Sequence, residues 1–400
     1  PPSQGDQTVS NVLTSDTSVT TLPAPAMAPL RRFEAQLAGR VINPAKERMA
    51  PRRSGARSPR KRPPPVAAME TFAVAAVLTK PPYSAPEAAS GADHAFHLPS
   101  PFRLESGDTL DAPAIHVRLH GPASAPKVLA LGGISATRRL NGAGGWWGDI
   151  VGPGAAIDTT RFCALGIDFA PDGDTLVRIS PTDQARLIVF ALDELGIEQM
   201  HAVIGASYGG MVGLALAQVA PRRLGKLCVV STAHQPSPLG AAWRGVQRRI
   251  VEFAQAQGDV SAGLSLARQL AMITYRSAEE FEARFDRKLG ADNASDLDRY
   301  LAARGEAFCA AMGARRWLSL SGSIDRADID PAAVQVPTTL IACTSDQLAP
   351  LSQMEELSRR LPRLVAFHVL TSLYGHDAFL KEPAQISRAL KRFLDESGNG

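Results

Sequence analysis

The strongest chemical signal in this sequence is Gly205-Ala206-Ser207-Tyr208-Gly209, set between the apolar run Ala202-Val203-Ile204 and a run of small and apolar residues, Gly210-Met211-Val212-Gly213-Leu214-Ala215. A G-x-S-x-G pentapeptide between a strand and a helix predicts a sharp turn that exposes the serine hydroxyl at a helix N-terminus, with space only for small residues two positions to either side. A hydroxyl becomes a useful nucleophile when a base removes its proton, and that base needs an acid to hold its tautomer. On a sheet carrying such a turn the chain order is serine, then Asp or Glu after a later strand, then His in a loop ahead of the last helix.

Downstream of Ser207 the histidines are His234, His368 and His376. His368 falls inside the strand pattern Leu364 to Leu370 and reads as a packed residue. His376, in the loop Leu373-Tyr374-Gly375-His376-Asp377 before a helical pattern starting near Pro383, is the expected base. Asp346 directly follows a strand pattern and precedes Pro350, which makes it the expected acid; Asp325, Asp328 and Asp330 read as solvated caps. The expected oxyanion donors are the backbone N–H of Tyr208 and that of Gly132 or Gly133, which follow Leu129-Ala130-Leu131. This set leaves open whether water or an alcohol takes the acyl group, so an esterase and a transferase both stand. A non-catalytic binding protein on the same scaffold is disfavoured by the intact Ser, Asp and His.

Positioning these residues requires a sheet. Candidate strands are Ala114 to Leu119, Lys127 to Leu131, Phe162 to Phe169, Met200 to Ile204, Lys226 to Ser231, Thr338 to Cys343 and Leu364 to Leu370. Helical patterns cover Pro181 to Leu195, Gly210 to Ala220, Leu351 to Leu361 and Pro383 to Leu394. The alternation predicts an α/β fold with a mostly parallel sheet flanked by helices on both faces. The rhythm breaks between Ala233 and Pro331, where helix-rich sequence predicts an inserted helical lid over the strand ends. The expected organisation is a leader over 1–90, a first part of the core over 91–234, the lid over 235–331 and a second part of the core over 332–400.

The charge balance separates the leader from the rest. Of 43 Lys and Arg in the 400 residues, 12 fall in residues 1–90 against 6 Asp and Glu, so the overall net charge of +4 belongs to that segment and residues 91–400 carry a slight negative excess. The same segment holds 14 of 30 prolines and no histidine, and Arg52 to Pro65 has no apolar periodicity. It reads as a disordered, solvated leader rather than a nucleic-acid or targeting element, with Met69 an alternative translation start and the sequence a fragment as the other reading of its opening at Pro1. The short apolar run Phe72 to Leu78 falls short of a signal peptide, and no apolar run is long enough to span a membrane. Cys163, Cys228, Cys309 and Cys343 have no metal-ligand spacing and read as reduced thiols of a cytoplasmic protein.

Further motifs extend the signal along the chain: Gly145-Trp146-Trp147, Val151-Gly152-Pro153-Gly154, Asp158 to Phe162, Gly209-Gly210-Met211, Met272 to Ser277 with Glu280-Phe281, Ser345-Asp346, and Gly375 to Leu380. On these motifs the chain from about Phe96 to Leu394 resembles the homoserine O-acyltransferases of the α/β-hydrolase superfamily, enzymes of methionine biosynthesis. The resemblance implies the α/β-hydrolase fold with Ser207 as nucleophile, Asp346 as acid and His376 as base. It further implies that Asp377 takes the amino group of L-homoserine and Arg248 its carboxylate, one anion and one cation aiming the hydroxyl of a zwitterion. Neither a metal nor a bound cofactor is implied, and acyl-CoA (acetyl-CoA or succinyl-CoA) is the co-substrate. Members are often dimers through lid helices. The sequence departs from the family at Tyr208, where Met is usual, in the short segment Asp168 to Ser180, and in the loop Gly133 to Arg139. Leu348 is apolar where succinyl-using relatives tend to carry Arg, which favours acetyl-CoA, although Arg138 or Arg139 is an alternative source of a cation. The expectation is a ping-pong homoserine O-acetyltransferase; the alternatives are an O-succinyltransferase acting on homoserine or serine and a carboxylesterase. Nucleic acid and membrane are not expected partners.

Overall fold

The computed structural model describes residues 91–98, 101–111 and 113–395. The leader expected over 1–90 lies outside the described residues. The main sheet has eight strands, β1 (Ala92–His97), β2 (Ala114–His120), β3 (Lys127–Leu131), β4 (Cys163–Ile167), β5 (Ala202–Ala206), β6 (Leu227–Val230), β7 (Thr338–Cys343) and β8 (Leu364–Leu370), in the spatial order β1-β2-β4-β3-β5-β6-β7-β8. β1 pairs antiparallel with β2 and β2 antiparallel with β4, while β4, β3, β5, β6, β7 and β8 run parallel. The chain therefore has the α/β-hydrolase architecture.

Among the described residues ten α-helices accompany the sheet: α1 (Pro181–Glu194), α2 (Tyr208–Val219), α3 (Pro238–Ala256), α4 (Val260–Tyr275), α5 (Ala278–Arg284), α6 (Asp296–Cys309), α7 (Ala314–Asp325), α8 (Leu351–Arg360), α9 (Ala378–Lys381) and α10 (Pro383–Asp395). α1, α2 and α8 contribute Leu187, Val212 and Leu357 to the apolar core on one sheet face, and α10 contributes Ile386 and Leu390 to the core on the other. Covering both faces buries every residue of β5, which explains why this strand reads as a continuous apolar run rather than an alternation.

The seven strands and four helices expected from the sequence all form, with ends shifted by a few residues. β1 was invisible to periodicity because Ala-Asp-His-Ala-Phe-His is an edge strand against β2 alone and half of it faces water. Between β6 and β7 the structure has α3 to α7 and no named strand. Four of the five starts are chemically marked: Ser237, Asp259, Ser277 and Ser295 each accept an N–H of the first helical turn. These helices carry a small core of their own, built on Val251, Leu264, Phe308 and Trp317.

Candidate active site

At the end of β5 the chain reverses into α2 through Ser207, whose φ of 55° and ψ of −126° lie in a region that a side-chain-bearing residue rarely occupies. The turn closes because its flanking glycines carry no Cβ. A Cβ on Gly205 would lie 2.2 Å from the Gly209 carbonyl oxygen, and one on Gly209 would lie 2.5 Å from the backbone of Leu131. The Gly209 N–H donates to the Gly132 carbonyl at 2.8 Å, tying α2 to the loop after β3. Of the two candidate loop glycines, Gly133 lines the cavity beside Ser207, and Gly132 stands behind it against Trp146. Tyr208 opens α2, so its N–H is among the helix-terminal donors that lack an intrahelical acceptor. Its buried ring packs edge-on to Phe169 and its hydroxyl bonds Ser323 Oγ at 2.7 Å, while burial pushes the phenol up and keeps it neutral.

His376 arrives from the opposite side, in the loop between β8 and α9. Gly375 precedes it with φ of 57°, and a Cβ there would come within 2.6 Å of the Tyr275 carbonyl oxygen, so the loop fits only with glycine. His376 Nε2 lies 2.8 Å from Ser207 Oγ, and Nδ1 lies 2.8 Å from Asp346 Oδ2. The other oxygen, Asp346 Oδ1, accepts the backbone N–H of Leu348 at 2.9 Å and of Ala349 at 3.0 Å. An ionised carboxylate only accepts, so Nδ1 carries a proton and Nε2 is left to accept from the serine hydroxyl. Ser345 Oγ donates to the Ser372 carbonyl at 2.5 Å and accepts the Gly375 N–H at 3.2 Å, joining the loop of Asp346 to that of His376. Burial opposes a charge on His376, but the charge and hydrogen bond of Asp346, with Asp377 adding to them, outweigh it and hold the imidazole above its ordinary value.

The other two histidines are elsewhere. His368 lies in β8, in register with Ile341. His234 is buried against Arg360 Nη1 at 3.1 Å, and burial, then the guanidinium charge, push it below its ordinary value.

Ser207 and His376 border a cavity of about 210 Å³, roofed by residues of α3, α4 and α7. Asp377 is in its wall, with Oδ2 held by Arg276 Nε at 3.0 Å; Arg276 also pairs with Glu280. Arg248, the residue expected to take the acceptor carboxylate, sits on α3 beside Asp325. Its Nη2 lies 2.7 Å from Asp325 Oδ2 and its Nη1 bonds Ser321, and the arginine of α3 that lines the cavity is Arg244, one turn earlier. Residues four apart share a helix face, so both guanidiniums reach Asp325, Arg244 with Nε at 2.7 Å from Oδ1. Asp325 is thus the shared counterion of two arginines rather than a solvated cap. Arg138 is engaged by Asp93 at 2.9 Å and Asp168 at 2.6 Å, and neither it nor Arg139 lines the cavity. Leu348 lines it, as does Arg268 of α4, which the sequence did not single out. Nothing in local spacing marks Arg268; only the packing of α4 over the strand ends turns it inward.

Among the described residues there is no group of three or more His, Cys, Asp or Glu suited to a metal ion, and no helix is long and apolar enough to cross a membrane.

The sequence model of the alpha/beta hydrolase fold family matches residues 132–383. The chain is 41% identical over 293 residues to a homoserine O-succinyltransferase of Xanthomonas campestris, a match covering 71% of this chain and 79% of that protein. It is 32% identical over 294 residues to a homoserine O-acetyltransferase of Citrifermentans bemidjiense, covering 63% and 80%. In three dimensions it is similar to the crystal structure of homoserine O-acetyltransferase from Bacillus anthracis, with a TM-score of 0.71 at 18% identity over 77% of this chain and 99% of that one. The strand order, the serine turn at the end of β5 and these matches together show that the chain belongs to the homoserine O-acyltransferases of the α/β-hydrolase superfamily.

Proposed function

We propose that the protein transfers an acyl group from acyl-CoA to the hydroxyl of L-homoserine by a ping-pong mechanism on Ser207, a step of methionine biosynthesis. The observation that carries this reading is the hydrogen-bonded line from Ser207 through His376 to Asp346, opening into a cavity that presents Asp377 on one side and the Arg244 guanidinium on another. His376 Nε2 takes the hydroxyl proton as Ser207 Oγ adds to the thioester carbonyl. The oxyanion is met by the N–H groups of Gly133 and Tyr208. The C–S bond then breaks, the proton goes to the thiolate, and CoA leaves as the thiol. In the second half His376 takes the proton of the homoserine hydroxyl, which attacks the acyl-serine; Ser207 leaves and regains its proton.

The acceptor is a zwitterion, and the cavity offers an anion and a cation to orient it. Asp377 suits the ammonium. The two guanidiniums of Arg244 and Arg248 share the single carboxylate of Asp325, which leaves one positive charge in excess for the acceptor carboxylate. Arg248 therefore acts with Arg244 rather than alone. The buried free thiols Cys163, Cys228 and Cys343 fit a reducing, cytoplasmic setting.

Dimerisation through α3 and α4 is part of the proposal. Leu239, Val246 and Phe253 are exposed at seven-residue spacing on α3, as are Leu266 and Ile273 on α4, and Phe253 leaves 71% of its surface in water. Such spacing keeps apolar side chains on one face of each helix.

Mass spectrometry of the protein mixed with acetyl-CoA or succinyl-CoA tests the mechanism. An acyl adduct on Ser207 that persists in buffer and is discharged by homoserine supports it; discharge by serine alone reassigns the acceptor. Rapid discharge in buffer makes the protein an esterase, and no adduct with either donor removes the covalent mechanism.

A further inference from the structure

Two arginines line the active-site cavity, and they differ in how their charge is met. Arg244 is ion-paired with Asp325 at 2.6 Å. Arg268 is half-buried on α4, with its guanidinium 5.5 Å from the centre of the Tyr275 ring and 4.8 Å from that of Phe308. Among the described residues no carboxylate stands within ion-pair distance of Arg268. A cation held against two aromatic faces is positioned and partly stripped of water, yet it retains its full charge for an incoming anion. The Tyr275 ring that carries it lies 5.9 Å from the His376 ring, so a single aromatic side chain separates this cation from the base.

The homoserine zwitterion is already provided for by Asp377 and by the excess charge of the Arg244, Arg248 and Asp325 group. Arg268 is then left over for an anion that does not belong to the acceptor. The donor has two kinds. The phosphates of CoA are separated from the thioester by the whole pantetheine arm, too far for a group one ring away from His376. The free carboxylate of a dicarboxylic acyl chain lies only two methylenes beyond the reacting carbonyl.

We infer that Arg268 binds the terminal carboxylate of a succinyl group on the donor thioester and so selects succinyl-CoA. The selectivity rests on acylation of Ser207 as proposed above. Arg268 is a specificity-determining residue here and takes no part in the proton transfers. Tyr275 and Phe308 act on it as positioning residues.

The test compares succinyl-CoA with butyryl-CoA, which has the same chain length without the carboxylate, and with acetyl-CoA, at saturating homoserine. The wild-type protein is expected to have a higher kcat/KM for succinyl-CoA than for butyryl-CoA; the reverse order overturns the inference without any variant. In Arg268→Gln the ratio of succinyl-CoA to acetyl-CoA kcat/KM is expected to fall roughly 10-fold to 100-fold, the usual range for a lost charged hydrogen bond. Arg268→Lys is expected to recover part of that ratio. An equal loss with both donors points to the CoA phosphates and overturns the inference, as does a rise in homoserine KM that is the same for both donors. An unchanged ratio also overturns it. Failure of the wild-type protein to form an acyl-serine with any donor is a different result, because it removes the covalent mechanism itself.

Discussion

Replacing Asp346 by Asn keeps the size of the side chain and exchanges one acceptor oxygen for a donor NH₂. The structure dictates which way the amide must face. Leu348 and Ala349 both donate backbone N–H groups to Asp346 Oδ1, at 2.9 and 3.0 Å. An amide turned the other way would set its NH₂ against two donors and leave both N–H groups unpaired, at about 1–3 kcal/mol for the buried one of Ala349. The Asn carbonyl is therefore held toward Leu348 and Ala349, and its NH₂ faces His376 Nδ1. That nitrogen must then accept, which moves the imidazole proton to Nε2, where it points at Ser207 Oγ instead of receiving from it. The expected loss in kcat is roughly 10⁴-fold, the size seen when a triad is trapped in the wrong tautomer, with little change in donor KM. Release of CoA thiol in a single turnover measures it, and a thermal melt close to wild type shows that the fold is kept. The less conservative Asp346→Ala frees the tautomer, so Asp346→Asn should be no more active than Asp346→Ala. An Asp346→Asn protein retaining a tenth or more of wild-type acylation, or clearly outperforming Asp346→Ala, would refute the reasoning.

The kcat/KM profile of the wild-type protein is expected to rise with pH through an apparent pKa above 6.5, the ordinary histidine value, because His376 must be neutral to act and Asp346 holds it protonated. The stability contribution of the same group runs the other way, being fully present below 6.5 and lost as pH climbs through the raised value of the folded protein. Calorimetry and initial rates over one pH series read both. Gly375→Ala puts a Cβ within 2.6 Å of the Tyr275 carbonyl at a φ of 57°, so it should cost roughly 2 kcal/mol or more and lower kcat further than Tm alone explains. Asp377→Asn should raise homoserine KM by roughly 10-fold to 100-fold while acyl-serine formation changes much less, read by comparing single-turnover acylation with steady-state transfer. Phe253→Glu on the exposed face of α3 should shift a dimer to monomer in sedimentation, and an unchanged mass would remove α3 from the interface.

Much of this was legible in one dimension because the information was local. Parallel strands covered on both faces are apolar throughout, so β3, β5, β6 and β7 announce themselves. A tight turn with a residue at positive φ demands small neighbours, so Gly205 and Gly209 mark Ser207. Asp346 and His376 were singled out by their places at strand ends and by chain order. β1 escaped because an edge strand with one wet side has no apolar signature. The resemblance points to Arg248 as the acceptor's cation; a helix places residues four apart on one face, and which of Arg244 and Arg248 meets the cavity depends on how α3 sits above it.

The amino-acid sequence by itself determined the α/β sheet, the serine turn and the order in which Asp346 and His376 follow it, since each follows from periodicity, glycine sterics or order along the chain. Tertiary structure alone decided that Asp325 serves two arginines, that Gly133 rather than Gly132 borders Ser207, and that Arg268 enters the cavity with no carboxylate of the described residues in ion-pair range. The physical reason is distance along the chain. Asp325 lies 81 residues from Arg244, and charges this far apart in sequence are paired or left unpaired only when packed helices bring them together.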